Sequence, residues 1–235
     1  MAVCAQKRDQ IAVKAFCLSA LCLAALIGGC AGALAPEWQS GAHVALEKFR
    51  QNYLEGNTRL AERYFAEAKL SISATGRLDL AARAELIRCA LATASLSDDA
   101  CAEFEALRSY VTAAERAYAQ FLAGHWQDLR AQDLPEPYRG IVTGGGEASL
   151  NREIGRIEDP VSRLVAAGAL FRAGRLSPVG VATAIDTASA QGYRRPLLAY
   201  LNVQAKLAEQ AGDSAALETI RRRIELVSQP LPDGR

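Results

Sequence analysis

Residues 159–192 read DPVSRLVAAGALFRAGRLSPVGVATAIDTASAQG. Asp159-Pro160 has the form of a helix start. The aspartate accepts from the orphan amides of the first turn, and a proline at the first helical position gives up an N–H that has no partner there. Gly174 is the matching stop, because glycine adopts the left-handed backbone that closes a helix. Ser177-Pro178 repeats the start and Gly192 the stop. The stretch predicts two helices joined by a short turn, an antiparallel pair.

The same punctuation continues in both directions. Downstream, a helix with Pro196 in its first turn ends at Gly212, and Asp213 or Ser214 caps a last helix that stops before Pro230. Upstream, Val44, Leu46, Phe49, Tyr53 and Leu54 fall near one stripe of a helix stopped at Gly56. Leu60, Tyr64, Ala68 and Ser71 mark a second helix, stopped near Gly76. Leu78, Ala82, Leu86, Cys89, Thr93 and Leu96 mark a third. Thr112 and Glu115 have capping-box spacing and open a helix that ends at Gly124. No hairpin dipeptide stands between alternating β-branched runs. The expected class is all-α, with antiparallel helix pairs arranged as a repeat-like stack or an irregular bundle. A front helical group spans 42–124, a rear group 159–228 and a tail 229–235. Between the groups, 125–158 holds Pro135, Pro137 and the triplet Gly144–Gly146 with weak periodicity. It reads as a long connection, flexible around 143–151.

The rear group divides into pairs at 159–192 and 193–228, close in length to the tetratricopeptide period. Gly168 and Phe171 match the glycine and aromatic spacing of that repeat's first helix, so the first pair resembles it in part. Asn202 and Ala205 stand at the matching sites of the second pair. The resemblance implies stacked helices that present a side-chain-lined concave surface to a protein partner.

The first thirty residues set the expected location. Lys7, Arg8 and Lys14 precede an uncharged run from Ala15 to Gly29. Fifteen helical residues span about 22 Å, short of the roughly 30 Å hydrocarbon core, but they suit the apolar part of a signal peptide. The run closes on Ile27-Gly28-Gly29-Cys30, which resembles the bacterial lipobox. That resemblance implies a signal peptide at 1–29, cut before Cys30. It also implies a diacylglyceryl group on the Cys30 thiol, an acylated amino terminus and a tether over 30–41. Ala31, where aspartate would signal inner-membrane retention, implies transfer to the outer membrane. The run of the chain also resembles helical lipoproteins of proteobacteria to which no activity is attached.

Cleavage removes Cys4, Cys17 and Cys22 and leaves Cys89 and Cys101 beside the lipidated cysteine. Export to an oxidising compartment favours a bridge across the turn that carries Ser97, Asp98 and Asp99. Two separate buried thiols are the other possibility. The chain from Cys30 holds 24 basic and 25 acidic residues, so it lacks the electrostatic footprint of a nucleic-acid binder.

No cofactor or metal motif stands out. His43 and His125 are 82 positions apart with no ligand spacing around them. The stretch TGGGEASLN at 143–151 lacks the strand and the Lys-Ser/Thr of a phosphate loop. Glu147 and Glu153 form a candidate carboxylate pair for glycan cleavage, without any surrounding motif. Tyr193, Arg194, Arg195 and Tyr200, with Arg221, Arg222 and Arg223, are the candidate partner surface. The last three arginines splay around a helix, with Ile220, Ile224 and Val227 turned inward. The function expected is that of a membrane-anchored periplasmic interaction or scaffold module. A cell-wall enzyme, or an accessory factor to one, is the alternative.

Overall fold

Local capping chemistry sets the start of several helices in this chain. The computed structural model describes residues 36–98 and 101–229. The signal segment, Cys30, the tether up to residue 35, Asp99, Ala100 and the tail from Pro230 lie outside the described residues. All regular structure among the described residues is helical. The front helices are α1 (Glu37–Glu55), α2 (Thr58–Ser73), α3 (Leu78–Ala94), α4 (Ala102–Leu107) and α5 (Ala113–Leu122). Two short helices follow, α6 (Arg139–Thr143) and α7 (Glu147–Arg156). The rear helices are α8 (Pro160–Arg172), α9 (Pro178–Gln191), α10 (Arg194–Gln210) and α11 (Ser214–Val227).

The expected caps form. Asp159 accepts from Ser162 N at 2.7 Å and Ser177 from Gly180 N at 3.2 Å. Asp213, not Ser214, caps α11, accepting from Ala216 N at 3.0 Å. Thr112 and Glu115 exchange bonds in both directions, at 3.2 and 2.8 Å. Partial burial opposes ionisation of Glu115. The donors on Thr112 and the Arg83 guanidinium outweigh it and hold the carboxyl below its usual range. Gly192 ends α9 with φ +68°, the backbone its position as a stop requires.

Helix α3 is packed on two sides. Ala84 and Leu91 face α1 and α2, where Phe49 and Phe65 pack with ring centroids 4.6 Å apart. Ala82, Leu86 and Cys89 belong to the larger cluster built by α5, α8, α9 and α10. On α8, all seven residues from Leu164 to Leu170 are buried. The two helices touch backbone to backbone. A Cβ added to Gly168 would overlap the Thr93 carbonyl oxygen and sit 2.6 Å from its carbon. One turn on, Arg172 of α8 donates to Ser97 O at 2.7 Å and to Leu122 O at 3.2 Å. Beyond α8, each rear helix packs on the one before it. The rear group is therefore stacked in order, while α3 lying on α8 joins front and rear in one core.

Four local readings are corrected. Helix α1 starts at Glu37, so the last residues assigned to the tether are helical. Its inward stripe is Ala42, Ala45, Phe49, Tyr53 and Leu54, with Val44 exposed. Helix α2 buries Ala61, Phe65, Ala68 and Ile72, one position round from the expected stripe. The segment 125–158 is no loose connection. Leu134, Tyr138, Ile141, Leu150, Ile154 and Ile157 are buried from its short helices and turns. Most pieces are too short to show a period, while α7 and its cap Ile157 space Leu150, Ile154 and Ile157 at i, i+4 and i+7. Gly144 is packed as well, since a Cβ there would meet Leu150 Cδ2 at 2.9 Å.

The α3–α8 contact has a direct test. Gly168→Ala should cost about 2–4 kcal/mol in urea unfolding. Gly155→Ala, on a part of α7 where a Cβ meets nothing within 4 Å, should stabilise by about 0.5 kcal/mol through helix propensity.

Candidate functional site

Tyr193-Arg194-Arg195 lies where α9 gives way to α10. Arg194 donates through Nε and Nη2 to Val227 O at 3.1 and 2.5 Å, and Nη2 also reaches Gln229 O. A guanidinium on the last carbonyls of α11 satisfies orphan acceptors and opposes the helix dipole. Arg195 turns the other way. Its Nε donates to Tyr53 O at 2.7 Å, its Nη2 to Thr58 Oγ1 at 2.7 Å, and its plane lies 4.3 Å from the Tyr53 ring centroid. Two adjacent arginines thus tie α10 to α11 on one side and to the α1–α2 turn on the other.

Tyr200 is fully buried and its hydroxyl donates to Leu164 O at 3.3 Å. Burial pushes its phenol far up, with the Arg172 charge acting in the opposite sense. Arg194, Arg195 and Tyr200, expected on a contact surface, are turned to internal bonds that fix the rear helices. Tyr193 is half-buried and lines a cleft of about 470 Å³ with Arg50, Gln51, Leu54, Glu55 and Gln191.

The other candidate arginines do face outward. Arg221, Arg222 and Arg223 are exposed on α11, while Ile220 is buried and Ile224 and Val227 pack against the core. Arg222 meets Glu218 at 2.5 Å, an i,i+4 pair open to solvent and worth little. Leu226 is exposed beside them. The result is an exposed surface of arginines and Leu226, with Glu218 and Glu225 among them, on a helix whose start is capped by Asp213 and whose end is held by Arg194.

Cys89 and Cys101 form a disulfide, with Cα atoms 5.3 Å apart. Cys101 occupies the cap position of α4 in a left-handed backbone, φ +53°. A cleft lies against each flank of the bridge. One, about 340 Å³, is lined by Asp98, Glu105 and Arg172. The other, about 380 Å³, is lined by Lys69, Glu85, Arg88 and Glu103. Glu85 is buried with Lys69 Nζ at 3.3 Å, and Lys69 and Arg88 both lie over the Phe65 ring. Charges of both signs meet in each cleft, so neither presents a field of one sign.

The candidate catalytic residues are dispersed. His43 and His125 are exposed on α1 and just after α5. Glu147 opens α7, and Glu153 stands six positions later, about 120° round the helix axis. Glu153 is paired with Arg156 at 2.7 Å and pressed against Gly140. Among the described residues, no group of three or more His, Cys, Asp or Glu gathers as for a metal ion.

Two features are invisible to sequence pattern. Glu85 sits on a helix whose apolar spacing gives no sign that a carboxylate is buried there. Tyr118, Phe121, Trp126 and Tyr138 form one aromatic cluster, with centroids 4.9–6.4 Å apart. Burial and the neighbouring Tyr138 push the Tyr118 phenol well up. The nearness of Phe121 and Trp126 along the chain is the one available sign of that cluster. Set against known protein families, curated proteins and solved structures, the chain matches none of them.

The two arginine classes should separate by mutation. Arg195→Ala should cost about 1–3 kcal/mol of unfolding free energy, because it strands Tyr53 O and removes the stacked plane. Arg222→Ala should stay within about 0.5 kcal/mol of the parent. Reducing the disulfide should cost about 3 kcal/mol, as expected for a closed loop of this size, read as a shift of the denaturant midpoint.

Proposed function

We propose that the chain is a lipid-anchored helical interaction module, held at the outer membrane through Cys30 and facing the periplasm, whose α11 face contacts a protein partner. The observation that carries the contact is the exposed group Arg221, Arg222, Arg223 and Leu226 on a helix clasped at both ends. A face fixed in advance loses little conformational entropy on binding, and arginine beside an apolar anchor favours an acidic, partly apolar protein surface. The anchor rests on the lipobox resemblance of Ile27–Cys30. It is consistent with a body in which no helix among the described residues is long and apolar enough to cross a membrane. Three acyl chains on Cys30 would hold such a body at a bilayer, since each buried CH₂ contributes about 0.8 kcal/mol.

Both parts are testable in the full chain. Cys30→Ser should abolish lipid labelling and leave the precursor uncut, and labelling that persists contradicts the anchor. A partner recovered in stoichiometric amount from solubilised membranes should be lost from Arg221→Glu/Arg222→Glu, with the unfolding midpoint unchanged. Recovery that ignores this charge reversal contradicts the contact.

A further inference from the structure

The anchored reading sets a limit on distance. Cys30 and Pro36 are six residues apart, at most about 20 Å of extended chain. A lipid on Cys30 therefore keeps the start of α1 close to the headgroups. Gly41, early in α1, lies beside α2's last turn: a Cβ built on it comes 3.5 Å from Ser71 Oγ. The first turns of α1, the last turn of α2 and the turn into α3 share one end of the body. Three large apolar residues are exposed there: Val44 at 51%, Leu70 at 71% and Leu78 at 44%. Exposed apolar residues scattered singly mean nothing. Three at the end that a short tether holds to a bilayer have a defined neighbour.

We propose that this end of α1, α2 and α3 is a membrane-docking face, with Leu70 and Leu78 entering the boundary between headgroups and acyl chains. The proposal rests on the anchored reading and adds an orientation to it. The occupant is a zwitterionic phospholipid surface, because the side chains that would enter it are apolar and two cations beside them are held by carboxylates. Lys69 holds Glu85 at 3.3 Å and Arg77 holds Asp79 at 2.7 Å, while Lys48 lies over the Tyr64 ring. Apolar contact carries the docking, so salt leaves it unchanged.

The orientation has a consequence for the partner face. Helix α1 has 19 residues, about 28 Å of axis. Its far end meets Arg195 at Tyr53, and Gly56 lies beside Arg194, whose guanidinium holds the end of α11. Docking by the near end thus presents Arg221 and Arg222 away from the bilayer, where a partner in the aqueous compartment reaches them.

The test uses the full acylated chain, reconstituted in phosphatidylcholine vesicles that carry nitroxide-labelled lipid. A fluorescent non-natural amino acid replaces Leu70 or Leu78. Val179 and Leu226, exposed to 64% and 65%, serve as control positions. Positions 70 and 78 should be quenched several-fold more than 179 and 226, equally at low and high salt. Equal quenching at all four positions overturns the docking face, as does quenching strongest at a control position. Acylated protein that floats with the vesicles but shows no quenching at 70 or 78 also overturns it and leaves the anchor standing. A Cys30 peptide whose mass carries no acyl group, with protein that fails to float, overturns the anchor and the docking face together.

Discussion

The backbone of α8 rests against the backbone of α3 at Gly168 and Thr93, and the rest of the architecture depends on that approach. A methyl group at position 168 has no room, so the two helices meet at a separation that larger residues forbid. The close approach lets the small residues Ala166, Ala167 and Ala169 pack without voids in a chain with few aromatics. It also buries one side of α3, which carries α1 and α2 on another. A division into two separate helical groups would leave one wide face of each uncovered. The contact joins their two apolar clusters through α3.

The remaining long-range ties act around this centre. Arg172 fixes the ends of α3 and α5 to α8 by two carbonyl bonds. Arg195 closes α10 onto the α1–α2 turn, and Arg194 closes α11 onto α10. The disulfide acts over a shorter range. It pins α4, which is six residues long, too short to stand alone, and buries its own Phe104 ring. An open stack of helix pairs would leave its ends free to fray. Here the end of the last helix is held by Arg194, and three exposed arginines stand around its outer side.

What the sequence made legible follows from how local each cause is. Helix ends are readable at Asp159, Ser177, Thr112 and Asp213 because a cap bonds an amide three residues away. Burial stripes are harder. Tyr64 and Phe65 are neighbours of similar bulk, and the choice of Phe65 is made by Phe49 on another helix. Most of the segment 125–158 is built from pieces under two turns long; its longer helix α7 does space Leu150, Ile154 and its cap Ile157 at helical intervals, a signal the glycines before it obscure. Arg194 and Arg195 look like surface charge until their acceptors are known, and those lie 33 and 142 residues away. The candidate face on α11 is legible in part, since Ile220, Ile224 and Val227 mark its inner side. Which basic residues remain outside it depends on tertiary contacts alone.

Native-state hydrogen exchange tests the shared core most directly. Amides from Leu86 to Thr93 on α3 and from Leu164 to Leu170 on α8 should exchange only through global unfolding. Their opening free energies should equal each other and the value from urea denaturation. Residues of α3 that open at a markedly lower free energy than those of α8 would mean that front and rear unfold independently, and would contradict the central place of the Gly168–Thr93 contact.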